Sequence, residues 1–233
     1  MSIFLSEILG TFITVLLGYN AVLLVSGNNK GINKKFVSTL GWGLSLFVGM
    51  ICINKISGAH LNPAVTIGLA FIGKFQWYKA PMYILAQLTG AIMASCVVLL
   101  QFKSAFDTLD DISLSNLVFT VKPDIKIVVK NIASFIASSV IFIFPVLYIA
   151  VSHSGFDAYS SIPVAFLFFG ACLVVSNSTG FIINPVADLG MRIVVTAYKH
   201  KHGNNIDWRL SWVPFFCSFA GTTIAATLYD IFR

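Results

Sequence analysis

The stretch SGAHLNPAVTIG, residues 57–68, places a histidine, an asparagine and a proline between two long apolar runs. The apolar segment at its end, 62–73, would span about 18 Å as a helix, roughly half the hydrocarbon core of a bilayer. Irregular backbone at membrane depth is tolerated only where protein or a water-filled cavity surrounds it. We therefore expect residues 58–61 to be extended and residues 62–73 to form a re-entrant half-helix.

A second copy of this pattern occurs in STGFIINPVADLG, residues 178–190. Residues 184–195 again form a short apolar segment that begins with Asn-Pro. Each Asn-Pro pair follows two long apolar runs and precedes a third, which indicates an internal duplication with repeats at about 1–102 and 128–233. Because each repeat has three spans, the second repeat enters the membrane from the opposite side. The pattern predicts an inverted repeat whose half-helices meet near the midplane.

The composition excludes a water-soluble globule. The chain is 57% hydrophobic and 10% charged, whereas a soluble domain carries about 25% charged residues. Six apolar runs are long enough to cross a bilayer as helices. They lie at 4–25, 36–54, 81–102, 128–152, 161–177 and 210–231. The predicted fold is an all-α membrane protein in which residues 1–233 form one channel domain, with six transmembrane helices and two re-entrant half-helices.

The two Asn-Pro pairs are suited to helix starts, because asparagine is a strong N-cap and proline needs no N–H in the first turn. The asparagine amides could still direct N–H donors into a cavity. Two facing helix N-termini, each with about half a positive charge, would oppose cations and protons. The preceding carbonyls would offer acceptors along a narrow path. The pattern predicts a pore for small neutral hydroxylic solutes, and no nucleophile, base or metal-binding cluster stands out.

These features resemble the aquaporin family, and in particular its glycerol-facilitator branch. SGAHLNPAVTIGLA, residues 57–70, is similar to the first family signature, and NPVADLGMR, residues 184–192, is similar to the second. Asp188 and VFTVKP, residues 118–123, are typical of the branch. The resemblance implies passive diffusion of glycerol, similar small polar solutes and water. It also implies a homotetramer in the lipid bilayer of the plasma membrane, with cytoplasmic termini, no cofactor and no nucleic-acid partner.

The resemblance also assigns roles to individual residues. The midplane motif comprises Asn62, Pro63, Ala64, Asn184, Pro185 and Val186, with valine where the family has alanine. The predicted pore lining comprises Gly58, Ala59, His60, Leu61, Gly180, Ile182 and Ile183. The predicted selectivity filter comprises Trp42, Cys172, Phe181 and Ala187. Because the family has an arginine at the position of Ala187, this filter should be wide, apolar and uncharged on one wall.

The scaffold predicted from the resemblance comprises Glu7, Asp188 and Arg192. The family braces each re-entrant loop with a glutamate, and Glu7 matches the first. The fourth span has no carboxylate to match the second. We expect weaker polar groups, Asn131, Ser134 or Ser138, to hold the second loop.

The charge distribution leaves alternatives open. The net charge is +6, and the family topology places most of the basic residues outside the cell, so the positive-inside rule favours the reverse orientation. A basic outer rim concentrates anions. One alternative is therefore a channel for bulkier polar or anionic solutes, such as sugar acids or organic acids. Another is a coupled transporter or a membrane structural protein. Coupled transporters place ionisable residues within their spans, where Glu7 is the clear candidate.

Overall fold

All regular secondary structure among the described residues is helical. The computed structural model describes residues 1–26, 33–109, 125–152, 156–175, 183–201, 206 and 208–233. In chain order the helices are α1 (Ile3–Ser26), α2 (Lys34–Ser57), α3 (Pro63–Phe71), α4 (Ala80–Gln101), α5 (Lys103–Thr108), α6 (Ile125–Ser152), α7 (Ala158–Val175), α8 (Pro185–Lys201) and α9 (Val213–Phe232). A short 3-10 helix, Trp77–Lys79, leads into α4.

Among the described residues, five helices are long and apolar enough to cross a membrane. They lie in α1, α2, α4, α6 and α9, and α7 adds the shorter apolar stretch Ala158–Leu173. Each predicted span coincides with one of these six helices, with ends that differ by only a few residues. The prediction of an all-helical membrane fold is confirmed.

Helix α3 is short because both of its ends carry stop signals. Asn62 is the N-cap with extended backbone, and Pro63 occupies the first turn. At the other end, Gly73 has a φ of 71°, a left-handed conformation that glycine adopts at little cost. The N–H of Lys74 donates to the carbonyl of Leu69 at 2.8 Å, and the N–H of Gly73 donates to that of Ala70. This pair of bonds is a Schellman motif, which closes the helix after Phe71.

Helix α8 is longer than the sequence predicts. We expected a half-helix over 184–195, but the helix continues to Lys201. The apolar run ends near 195, yet the next residues contain no proline or glycine, and basic residues in the last turn favour the helix dipole. The extension also has partners, because Tyr198 bonds to Asp107 and the Lys199 ammonium donates to the carbonyl of Leu109 at 3.1 Å. The structure therefore moves the end of this helix from residue 195 to Lys201.

The helices pack in a pattern that repeats between the two halves of the chain. Helix α1 contacts α2 and α4, and α6 correspondingly contacts α7 and α9. Each Asn-Pro helix contacts the last span of the other half, since α3 packs against α9 and α8 packs against α4. Helices α3 and α8 also contact each other. Such an exchange is expected of twofold-related repeats, although the repeat boundaries remain predictions.

Two glycines allow the first and last spans of each half to approach closely. A Cβ on Gly90 of α4 would lie 2.4 Å from the carbonyl oxygen of Ile8 in α1. A Cβ on Gly221 of α9 would lie 2.5 Å from the Cβ of Ser139 in α6. Small residues at such crossings let helix backbones pack tightly in a membrane, where van der Waals contact drives association. These crossings hold the walls around the two Asn-Pro helices.

Candidate functional site

The two Asn-Pro pairs meet through reciprocal hydrogen bonds. The Nδ2 of Asn62 donates to the carbonyl of Ile183 at 3.1 Å, and the Nδ2 of Asn184 donates to the carbonyl of Leu61 at 2.8 Å. Both asparagines are buried, and both line a cavity of about 10 Å³, which we call the midplane cavity. Each amide has two N–H donors. One donor fixes the opposite loop, which leaves the second for a solute in the cavity.

The two asparagines differ in what their side-chain oxygens do. The Oδ1 of Asn62 accepts from the backbone N–H of Ala64 at 2.9 Å and so caps α3 as expected. The Oδ1 of Asn184 is buried but accepts no hydrogen bond from the described part of the chain, so the predicted cap is not seen there. A buried acceptor without a partner is costly unless water or a ligand satisfies it. Because Asn184 lines the midplane cavity, its oxygen can accept from a permeating hydroxyl.

The approach to Asn62 is not extended, contrary to our expectation for 58–61. Gly58, Ala59 and Leu61 have φ values of 78°, 50° and 55°. Positive φ at two non-glycine residues costs about 1–3 kcal/mol each and needs support from the surroundings. That support is Glu7, because the backbone N–H groups of His60 and Leu61 both donate to its carboxylate, at 3.0 and 2.9 Å. Successive N–H groups that converge on an anion form a nest, which requires left-handed backbone.

Glu7 is buried beneath this loop with four hydrogen-bond donors around it. Besides the two backbone N–H groups, the hydroxyl of Ser57 donates at 2.6 Å and the amide of Gln87 donates at 2.9 Å. This geometry supports the scaffold role predicted for Glu7, since it ties α1, α2 and α4 to the first re-entrant loop.

The same network orients the ring of His60. The Gln87 amide also donates to the hydroxyl oxygen of Thr66 at 3.1 Å, and that oxygen lies 3.2 Å from the Nδ1 of His60. The His60 ring packs against Phe75 and Tyr83, with ring centroids 4.7 and 4.8 Å apart. One nitrogen of His60 is thereby engaged, and two aromatic rings restrict the imidazole on its sides.

His60 lines two spaces. One is the midplane cavity, and the other is a larger cavity of about 320 Å³, which we call the vestibule. The vestibule is lined by Gly58, His60, Leu69, Lys74, Ala150, Val151 and Phe156. The structure thus places Gly58, Ala59 and His60 of the predicted lining at a cavity. Gly180 and Ile182 lie outside the described residues. Ile183 is buried and takes part through its carbonyl.

Three of the four predicted filter residues lie in the described part of the chain. Trp42, Cys172 and Ala187 are all buried, and Phe181 lies outside the described residues. None of the three is among the residues that line the midplane cavity. Gly18 determines where the indole of Trp42 lies, because a Cβ on Gly18 would be only 2.4 Å from a ring carbon. The assignment of these residues as a filter stays a prediction.

Asp188 and Arg192 form a buried ion pair within α8. The Nε of Arg192 donates to the Oδ2 of Asp188 at 3.2 Å, and both side chains are at most 3% exposed. The guanidinium also lies over the ring of Trp208, 5.9 Å from its centroid. Removing one partner of such a pair typically costs about 3–5 kcal/mol. These contacts support the scaffold role, because they hold Arg192 between Asp188 and Trp208.

The second re-entrant loop has no brace of the expected kind among the described contacts. The hydroxyl of Ser138 donates to the carbonyl of Phe135 in its own helix at 2.8 Å. The side chain of Asn131 lies outside the described part of the chain, as do residues 176–182. The expectation that Ser138 holds the second loop therefore receives no support from its bond.

Tyr19, Gln87 and Phe156 are among the buried residues near the site that were not predicted. Gln87 and Tyr19 are polar side chains within apolar spans, which is a signal that sequence reasoning can use. The Tyr19 hydroxyl donates to the carbonyl of Ala187 at 3.2 Å, and its ring meets Trp42 edge-on at 5.3 Å. Phe156 follows a polar link, where nothing in the pattern distinguishes it from an ordinary apolar residue.

We expect Tyr19→Phe to change solute preference more than it changes folding. The ring would still pack on Trp42, while the carbonyl of Ala187 would lose its hydroxyl partner, which is worth about 0.5–1.5 kcal/mol. Stopped-flow measurement of the glycerol-to-water permeability ratio, together with thermal unfolding, tests this. Tyr159→Phe, at a side chain that is 83% exposed, is the matched control. An unchanged ratio in Tyr19→Phe would show that Tyr19 does not position the predicted filter.

Comparison with known proteins gives consistent matches over nearly the whole chain. The family described as "Major intrinsic protein" matches residues 1–229. A probable glycerol uptake facilitator protein of Thermotoga maritima is 35% identical over 99% of both chains. Glycerol uptake facilitator protein 3 of Lactiplantibacillus plantarum is 34% identical over 97% of this chain and 95% of its own. The X-ray structure of the aquaglyceroporin from Plasmodium falciparum superposes with a TM-score of 0.75 at 28% identity, covering 97% and 94% of the two chains.

Proposed function

Since the chain belongs to the major intrinsic protein family, we infer that it is a passive channel for glycerol and similar small polar solutes, with water. It is a multi-pass membrane channel and not an enzyme. The observation that carries this inference is the crossed pair of amides, in which Asn62 and Asn184 each fix the opposite loop. Both side chains face one narrow cavity, and each amide has a second N–H donor that can bind a solute there.

The geometry at the midplane selects for a hydroxylic solute. The cavity holds about one water-sized sphere, so solutes must pass in single file. Apolar side chains such as Leu46, Val146 and Phe168 form much of its wall. A hydroxyl that has left water finds the Asn62 and Asn184 donors and the free Oδ1 of Asn184. The paired N-termini of α3 and α8 disfavour cations at the same place.

The finer parts of the proposal concern the filter and the assembly. Trp42, Cys172, Phe181 and Ala187 form an arginine-free constriction in this proposal. The channel functions as a homotetramer in the plasma membrane with cytoplasmic termini. Apolar side chains on the outer helix faces, including Leu24, Leu100 and Phe166, are more than 60% exposed in the single chain. They are suited to contact with lipid or with neighbouring subunits.

Ala187 favours a second candidate function, a channel for solutes broader than glycerol. A methyl group offers neither the bulk nor the charge of an arginine at this position. The basic rim that would attract anionic solutes is partly neutralised, since Lys103 pairs with Asp107 at 2.5 Å and Lys199 is bound to the carbonyl of Leu109. A partly neutralised rim attracts anions less strongly, so larger neutral polyols are favoured over sugar acids or organic acids as the broader solutes.

We expect transport to be passive. Glu7 is enclosed by four hydrogen bonds and lines neither the midplane cavity nor the vestibule, which favours a structural role over coupling to an ion. Stopped-flow light scattering on proteoliposomes should give the same glycerol permeability with and without an imposed proton or sodium gradient. A panel of water, glycerol, larger polyols and a sugar acid would separate the two candidate functions. Uphill accumulation driven by an ion gradient would refute the channel.

A further inference from the structure

Among the described residues, the midplane cavity and the vestibule have two lining residues in common, His60 and Phe156. The midplane cavity is about 10 Å³ and the vestibule is about 320 Å³. A solute that moves between them must pass these two side chains. The change from a wide space to a narrow one therefore occurs at this pair.

His60 is a fixed wall at this point. Its backbone N–H is bound to Glu7, its Nδ1 lies 3.2 Å from the Thr66 hydroxyl, and its ring contacts Phe75 and Tyr83. A side chain held on so many sides does not move aside for a solute. The width available is then determined by the residue opposite.

Phe156 is that residue, and its backbone is fixed by the start of α7. The N–H of Asp157 donates to the Ser160 hydroxyl oxygen at 2.7 Å, and the N–H of Ser160 donates to the Oδ1 of Asp157 at 2.7 Å. This reciprocal pair is a capping box. The residue before such a cap often packs on the fifth residue after it as a hydrophobic staple, but that position is Ser161. The Phe156 ring, only 6% exposed, instead contributes to the cavity walls.

We propose that Phe156, against the fixed ring of His60, forms a second constriction that sets the maximum width of permeating solutes. The proposal rests on the channel function argued above. It assigns size selection to an aromatic side chain between the midplane and the vestibule. A channel that lacks an arginine at position 187 would then still exclude broad solutes, because the narrowest barrier in a series limits the flux.

The test compares Phe156→Ala, Phe156→Leu and Phe156→Trp with the parent chain in proteoliposomes, using water, glycerol, erythritol and xylitol. Adding or removing side-chain bulk comparable to a few methylene groups changes the discrimination between two solutes by about tenfold or more. We expect Phe156→Ala to raise the xylitol-to-water ratio about tenfold, with Phe156→Leu intermediate. Phe156→Trp should lower glycerol flux more than water flux. Phe166→Ala, at a side chain of α7 that is 66% exposed, should leave all ratios unchanged.

The outcomes separate this inference from the proposed function. If the parent conducts no glycerol, the proposed function fails first. If the parent conducts glycerol but the alanine, leucine and tryptophan variants all keep its polyol-to-water ratios, Phe156 is not a constriction. Size-exclusion profiles in detergent establish which variants are folded. Should the alanine variant not fold, the leucine and tryptophan variants still give opposite expected changes and decide the question.

Discussion

Glu7→Ala should abolish most of the flux of both water and glycerol. The substitution removes the acceptor for four donors and leaves the buried backbone N–H groups of His60 and Leu61 without partners. Each unsatisfied buried group costs about 1–3 kcal/mol. The left-handed backbone at Ala59 and Leu61 would lose its support, and the Leu61 carbonyl that receives the Asn184 amide would shift. We expect a reduction of at least tenfold in permeability per folded molecule and a lower unfolding temperature.

Two further variants sharpen this test. Glu7→Gln keeps the shape but replaces one acceptor oxygen with an NH₂ group that faces donors, so its effect should be intermediate. Ser6→Ala, at the neighbouring buried position, removes one local bond to the carbonyl of Ile3. It should cost only about 1 kcal/mol and leave permeability unchanged. Wild-type flux and unfolding temperature in Glu7→Ala would mean that the nest does not hold the pore.

Local sequence signals predicted the helical fold well, because the spans and the Asn-Pro starts are each encoded within a single segment. A run of apolar residues long enough to cross a bilayer has few alternatives to a helix. The end of α8 was not predictable in this way. Its last turn is polar, and it is stabilised by Asp107 and the carbonyl of Leu109, about 90 residues away in the chain. Apolar patterning carries no information about such contacts.

The residues of the candidate site could be predicted from their types and sequence context. The backbone conformation that positions them could not. The asparagines and Glu7 were identified from their sequence context, and the structure places them in contact with the same loop. The conformation of residues 58–61 was not predicted, because two consecutive N–H groups turn towards a carboxylate from another helix. An extended path was the simplest expectation for four residues before an N-cap. The Glu7 carboxylate, which is distant in the sequence, stabilises the strained left-handed backbone.

Ala187→Arg should reduce the flux of the broadest permeant solute much more than that of water, with glycerol between them. Ala187 lies in the first turn of α8, where its carbonyl already accepts from Tyr19. In the proposed filter, an arginine would add bulk, fixed donors and a positive charge. A wide apolar opening requires solutes to keep part of their hydration, since each polar group that loses water without a partner costs about 1–3 kcal/mol. We expect about a tenfold fall in the xylitol-to-water ratio, measured by stopped-flow light scattering.

Ala187→Met separates width from charge, because methionine adds length without donors or charge. If width alone matters, both variants should lower the xylitol-to-water ratio alike, whereas a role for charge predicts a larger effect of arginine. The combination with Phe156→Ala is decisive, since two constrictions in series are limited by the narrower one. With Phe156 removed, position 187 becomes limiting and the effect of Ala187→Arg on xylitol should grow. If folded Ala187→Arg keeps the parent's polyol-to-water ratios in both backgrounds, residue 187 does not set the width of the pore, and selection by size takes place elsewhere.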